Sequence, residues 1–186
     1  MKRLLSLVVV FAGLALVSLL AVTGRGQDGD DRGGADEAQV RRGFAIAPLP
    51  LTFEPRGRKL VGLGSYIVNA QADCVTCHTK FPTYAPGGNP YLGQPKQIDV
   101  GLYLKGGKPF KAPYTGEVIT SRNLRREANG LPAGLTLEQF VDVMRNGTDH
   151  DNPGRLLQVM PWPVFQDMTD RDLLAIYAYL DALPAP

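Results

Sequence analysis

Both cysteines of this 186-residue chain fall in one five-residue stretch, Cys74-Val75-Thr76-Cys77-His78. Thiols three apart with an imidazole directly behind them suit three chemistries: a redox disulfide, half of a zinc site, or covalent attachment of haem. Each would demand a different fold around the stretch. A bridge across two intervening residues closes so small a loop that it stabilises little, and a thioredoxin-like redox pair needs a βαβ context that no strand-rich pattern here supplies. A structural zinc site needs four ligands. The only histidine besides His78 is His150, so a Cys2His2 set is conceivable but poorly spaced. In C-x-x-C-H the two thiols add to the haem vinyl groups and the histidine becomes the proximal iron ligand. Of the three chemistries the stretch fits this one best, with Cys74 and Cys77 covalently holding one haem c and His78 binding its iron.

The compartment follows from the first residues. Lys2 and Arg3 precede nineteen uncharged residues, Leu4 to Val22. As a helix that run would span roughly 28 Å, about one hydrocarbon core. A basic start before an apolar run directs export, and residues 1–23 are read either as an uncleaved anchor or as a cleaved signal peptide. Ala21-Val22-Thr23 is a poor cleavage site, and there is no lipobox cysteine. Either version puts the remainder on the periplasmic side of a cytoplasmic membrane, anchored or soluble after cleavage. Residues 24–56 form the next unit. Gly24 to Gly43 is rich in glycine and charge and nearly free of apolar residues, which predicts a flexible tether. Phe44 to Pro55 is apolar and proline-punctuated, predicting an extended strap. Residues 57–186 then form one domain of ordinary size.

Within that domain three helices are predicted. Arg58 to Ala72 leads into the cysteine stretch and carries Leu60, Leu63 and Ile67 beside Gly62 and Gly64. A glycine inside a helix costs about 1 kcal/mol, so close crossing by the last helix at Tyr177 or Tyr179 is expected there. Leu137 to Asn146 has Thr136 as N-cap, Gln139 at the capping-box position and Gly147 just past its end. Arg171 to Ala182 follows Thr169 and presents Leu173, Ile176, Tyr177, Leu180 and Leu183 on one face. Between Lys80 and Arg126 the density of glycine and proline predicts an enlarged loop region with a short hairpin near Gly106-Gly107.

Haem iron in electron carriers commonly takes a second protein ligand. Met144 sits in a helical pattern as core filler, and Met168 precedes an N-cap as a hydrophobic staple. His150, flanked by Asp149 and Asp151, reads as a surface residue or as a neighbour of the site rather than as a ligand. Met160 lies in a loop between helices, and Pro161 and Pro163 stiffen the backbone behind its sulfur. Met160 is therefore the expected distal ligand.

These features together resemble a class I cytochrome c domain, an all-α fold wrapped round one haem. More narrowly, Gly106-Gly107-Lys108-Pro109-Phe110, Ile119-Thr120-Ser121-Arg122-Asn123-Leu124, Gly134-Leu135-Thr136-Leu137-Glu138-Gln139-Phe140 and Met160-Pro161-Trp162 resemble the cytochrome c subunits that partner periplasmic alcohol and sugar dehydrogenases. The resemblance covers residues 57 to 184. It implies His78 as proximal ligand, Met160 as distal ligand and no catalytic residues. The chain departs from the pattern at Arg125-Arg126-Glu127, where such domains often have Thr-Pro-Asp after Asn-Leu. The function so implied is single-electron transfer between a dehydrogenase-type donor and a respiratory acceptor, such as a terminal oxidase or another cytochrome. A haem enzyme or gas sensor with a labile Met160 is the alternative.

Charge bears on partners. The formal net charge is +2. From Lys80 to Arg126 eight basic residues face two acids, and from Glu127 onward three basic residues face nine acids. Such separation of sign orients encounter with a charged protein. No aromatic-interleaved basic face suggests nucleic acid.

Overall fold

The computed structural model describes residues 27–185, so the proposed signal or anchor lies outside the described residues. Two helices cross at the centre. The first, α2 (Arg58–Tyr66), runs directly into a π-helical turn, Ile67–Gln71, and then into the short α3 (Cys74–His78). The last, α6 (Asp170–Ala182), packs on α2. A side chain at Gly64 would collide with the backbone of Ala175 and with Tyr179. The expected crossing at Tyr179 is therefore present, and glycine is what brings the two axes together. Leu173, Ile176, Leu180 and Leu183 of the predicted face are each no more than 2 % exposed.

Gly62 has a different cause. It faces α1 (Gln27–Ile46), and a Cβ there would meet Val40 and Phe44. The expected flexible tether from Gly24 to Gly43 is thus corrected: from Gln27 onward it is helical and continues through Phe44 to Ile46. Its few apolar residues fall where they count, Val40 and Phe44 being one turn apart on the side against α2. Gly43 lets the backbones touch there, and Ser65 Oγ donates to Gly43 O at 2.7 Å across the junction. Arg58 stacks its guanidinium 4.3 Å from the Phe44 ring centre. After Ile46 the chain runs as a strap, and Leu49, Leu51 and Phe53 pack on the core while Thr52 N donates to Ala182 O.

The loop-rich middle matches expectation. Its regular structure is one 3-10 turn, Pro90–Leu92, and an antiparallel hairpin of β1 (Pro109–Lys111) and β2 (Val118–Thr120). The next helix, α4 (Leu137–Asn146), has the predicted bounds. Thr136 Oγ1 accepts from Gln139 N, and Gln139 returns the bond to the Thr136 backbone. Gly147 ends it at φ 68°. A four-residue helix, α5 (Trp162–Phe165), follows the methionine loop.

Candidate functional site

The side of α3 that carries the thiols opens on a cavity of about 480 Å³, which Cys74, Cys77, His78 and Met160 all line. Its wall is apolar: Val68 from the π-helical turn, Leu124, Phe140 and Met144 from the middle of the chain, and Ile176 and Leu180 from α6. The volume falls within the roughly 300–1,000 Å³ typical of cofactor pockets.

Why α3 presents its residues this way can be read locally. Asp73 takes a left-handed backbone, φ 50°, which a short polar side chain tolerates. Its Oδ1 accepts from Thr76 Oγ1 at 2.6 Å. Both thiols are free. Burial pushes the Cys74 thiol up to about 12 and raises Cys77, the latter eased by the nearby Lys108 ammonium. Lys108 Nζ donates to Thr76 O at 2.8 Å and so ties the middle region to the motif.

His78 is oriented from behind. Its Nδ1 lies 2.8 Å from Arg122 O, and a carbonyl can only accept, so Nδ1 carries the proton and Nε2 keeps a free lone pair. This is the partner arrangement that fixes tautomer and ring direction in metal-binding histidines. Burial lowers the basicity of His78, which favours the neutral, ligating form. The supporting strand is itself fixed by Gly106, whose N–H donates to His78 O at 2.7 Å. At φ 67°, and with Arg122 backbone where a Cβ would stand, position 106 suits glycine alone.

The Met160 loop hangs from the end of α4. Leu157 N donates to Gly147 O at 2.8 Å, and Trp162 Nε1 donates to Leu157 O at 3.1 Å. The Trp162 indole lies on the bare face of Gly147. Pro161, at φ −78° and ψ 50°, is closed by Trp162 N donating to Met160 O, an inverse γ-turn. Two ion pairs of opposite sense join this loop to the hairpin and to the segment that supports His78: Arg122–Asp151 at 2.5 Å and Arg155–Glu117 at 2.7 Å.

The structure therefore brings together Cys74, Cys77, His78 and Met160, all four residues singled out from the sequence. Two side candidates differ from expectation. Met144 is buried core, as expected, yet it also lines the cavity. His150 is half-buried rather than surface: it lines the cavity too, with Nε2 3.1 Å from Asp142 Oδ2. Its flanking acids, Asp149 and Asp151, line the cavity as well, and Asp151 is paired with Arg122. Among the described residues no three His, Cys, Asp or Glu side chains come together to hold a metal, so a Cys2His2 zinc set does not form. Sequence reasoning missed Arg122 and Gly106 as supports of His78. Their only sequence signal was membership of the Gly106-Gly107 and Arg122-Asn123 stretches. Among the described residues no helix is long and apolar enough to cross a membrane.

No family model matches the chain. Among characterised proteins it is similar to the cytochrome c subunit of the quinone alcohol dehydrogenase of Gluconobacter oxydans, 27% identical over 165 residues, covering 89% of this chain and 25% of that one. A match of that length necessarily spans residues 74 to 160. The fructose dehydrogenase cytochrome subunit of Gluconobacter japonicus is 29% identical over 123 residues, 66% of this chain and 21% of that one. The gluconate 2-dehydrogenase cytochrome c subunit of Pantoea cypripedii is 28% identical over 120 residues, 64% and 22% respectively. The chain thus spans about a quarter of the length of these relatives. Within that span it is a homologue of the cytochrome c subunits of alcohol, fructose and gluconate dehydrogenases.

Proposed function

We propose that residues 57–186 form a monohaem domain of the class I cytochrome c type that carries single electrons. The observation that supports this best is the shared cavity, into which two free thiols, a histidine with its Nδ1 proton committed, and a loop methionine all face. The residues present fit the group. Cys74 and Cys77 would form thioether bonds to the haem vinyls, His78 Nε2 would be the proximal ligand, and Met160 Sδ the distal one. Bound there, haem c supplies a one-electron couple between Fe(II) and Fe(III).

The chain's own residues do the rest. Arg122 O holds the His78 ring in direction, and the Gly147–Trp162 contact fixes the loop that presents Met160. The apolar wall of Val68, Phe140 and Leu180 excludes water. Ligation by a thioether favours the reduced state and raises the potential, which suits an acceptor of electrons from a dehydrogenase. With His78 and Met160 both held to the iron, no position would be left open for substrate, which supports a carrier rather than an enzyme. The names of the relatives support a dehydrogenase as donor. A respiratory protein, a terminal oxidase or another cytochrome, is the acceptor. Export by residues 1–23 places the domain on the periplasmic side, anchored or released.

The test is the protein expressed in a host competent for c-type maturation. An intact mass one haem heavier than the polypeptide, with haem that stays in the protein through acid-acetone extraction, supports the reading. A mass equal to the polypeptide alone, or extractable haem, overturns it. Insensitivity of the ferrous spectrum to carbon monoxide separates a carrier from a haem enzyme or gas sensor.

A further inference from the structure

Arg125 is 3 % exposed, and no acid among the described residues pairs with it. Its Nη2 donates to Pro184 O at 2.5 Å, while its Nε has no partner among the described residues. The nearest acidic side chain at that end of α6, Asp181, is already held by Arg56 and by Arg126, the latter at 2.6 Å. A buried guanidinium without a counter-charge is costly. Anchoring the chain terminus through one carbonyl does not require a cation.

The surroundings suggest what the charge acts on. Arg125 lies within electrostatic reach of Tyr103 and Tyr179, which belong to a closed polar cluster. The two tyrosine hydroxyls are 2.7 Å apart, Tyr103 donates to Asn69 Oδ1 at 2.7 Å, and Asn69 Nδ2 donates to Ser65 O at 2.9 Å. Each of three members sits next in sequence to a residue of the cavity wall: Asn69 to Val68, Tyr179 to Leu180, and Arg125 to Leu124. The cluster is thus joined to that wall through the backbone at three points, and its own residues do not line the cavity. It contains no formal anion, so the positive charge projects into the cavity through a medium of low dielectric.

We infer that Arg125 sets the reduction potential of the site: its buried, unpaired charge disfavours the more positive Fe(III) state and so stabilises Fe(II). The inference rests on the haem assignment above. Adding one electron lowers the charge of the iron by one, and no proton or further reactant is needed.

The experiment is spectroelectrochemistry of the holoprotein, read as the Fe(II)/Fe(III) ratio at one applied potential. Arg125→Gln removes the charge and should lower that ratio about tenfold, which is about 59 mV for a one-electron couple. Arg125→Lys keeps the charge and should leave the ratio close to wild type. Pro184 is exposed, so Pro184→Glu adds a carboxylate beside the guanidinium without entering the core, and it should lower the ratio as well. If Arg125→Gln is too unstable to mature, Pro184→Glu decides alone. An unchanged ratio in the charge-removing and Pro184→Glu proteins, or an equal fall in Arg125→Lys, overturns the inference. A wild-type protein without covalent haem would instead overturn the assignment on which it rests, and the mass measurement tells these failures apart.

Discussion

Met160 has a fixed backbone and an unremarkable side chain, and that division of labour makes it testable. Pro161 closes the turn behind it, and Trp162 pins the loop to Gly147, so replacing the side chain should leave the loop in place. Met160→Ala is expected to admit carbon monoxide and lower the potential, while the haem stays attached through Cys74 and Cys77. Retention of a six-coordinate spectrum in that protein, with its loss in Met144→Ala or His150→Ala, would move the ligand assignment. Both alternatives line the same cavity, so they are fair controls. Chemistry of this kind was legible in the sequence because C-x-x-C-H and a proline-flanked methionine are local patterns. The buried pair Tyr103 and Tyr179 was not, since its partners come from three separate segments. Burial raises both phenols above their ordinary value, that of Tyr103 strongly. The sign is then settled: the unfolded chain releases these protons first, near pH 10, so the folded state loses stability as pH climbs above that point. Denaturant titrations from pH 8 to 11 should show that decline, and Tyr103→Phe should make it shallower even though the variant starts from a lower stability. An equally steep decline would mean that Tyr103 titrates alike in the folded and unfolded states.

Two helices of the domain, α4 and α6, were legible because each has its own start signal. Thr136 and Gln139 form the expected reciprocal cap, and Thr169 caps α6 through Asp172 N. The helical state of residues 27–46 was hidden for the opposite reason. Its composition argues for disorder, and only contact with α2 through Val40, Gly43 and Phe44 gives it a buried side. Helices of that kind owe their stability to packing rather than propensity. Gly43→Leu should therefore undock α1. The loss of Val40 and Phe44 burial would cost a few kcal/mol, at about 1.5–3 kcal/mol for a fully buried large apolar side chain. Trypsin should then cut after Arg41 or Arg42 at least tenfold faster, with the visible spectrum unchanged; unaltered cleavage would show that α1 is held by something other than this crossing. The hairpin offers a contrast of scale. Its Glu117–Arg155 pair is about half exposed on both sides, so it belongs to the class of surface pairs worth under about 1 kcal/mol. The hairpin's place against the cavity rests more on Phe110 and Ile119, which line it.

For the molecule as a whole, the separation of charge seen along the chain survives folding only in part. Arg122, Arg126 and Glu117 are consumed in ion pairs, and Arg125 is buried. Lys80, Lys105 and Lys111 are exposed and enter no ion pair among the described residues. They cluster near the cavity by way of their neighbours: the Gly107 Cα faces the Lys80 side chain, and Lys108 reaches both the Thr76 carbonyl and the Phe110 ring. The side of the cavity next to the cysteine motif is thus basic, while Asp149 is the acid left at the opposite margin, Asp151 being spent on Arg122. A net charge of +2 spread evenly would barely distinguish small redox reagents by sign. A basic patch beside the site should attract an anionic oxidant and lose that advantage as salt shortens the screening length from about 30 Å at 0.01 M to about 10 Å at 0.1 M. Oxidation of the ferrous protein by ferricyanide should therefore slow severalfold over that range, and oxidation by a cationic cobalt complex should not. Lys80→Glu together with Lys111→Glu should flatten the ferricyanide dependence without altering the reduction potential by more than a few tens of millivolts, because both side chains are in solvent. The reverse pattern, with the cationic reagent slowed by salt and ferricyanide not, would place the site of electron exit beside Asp149 instead, and equal dependence for the two reagents would mean that the basic patch does not steer the encounter.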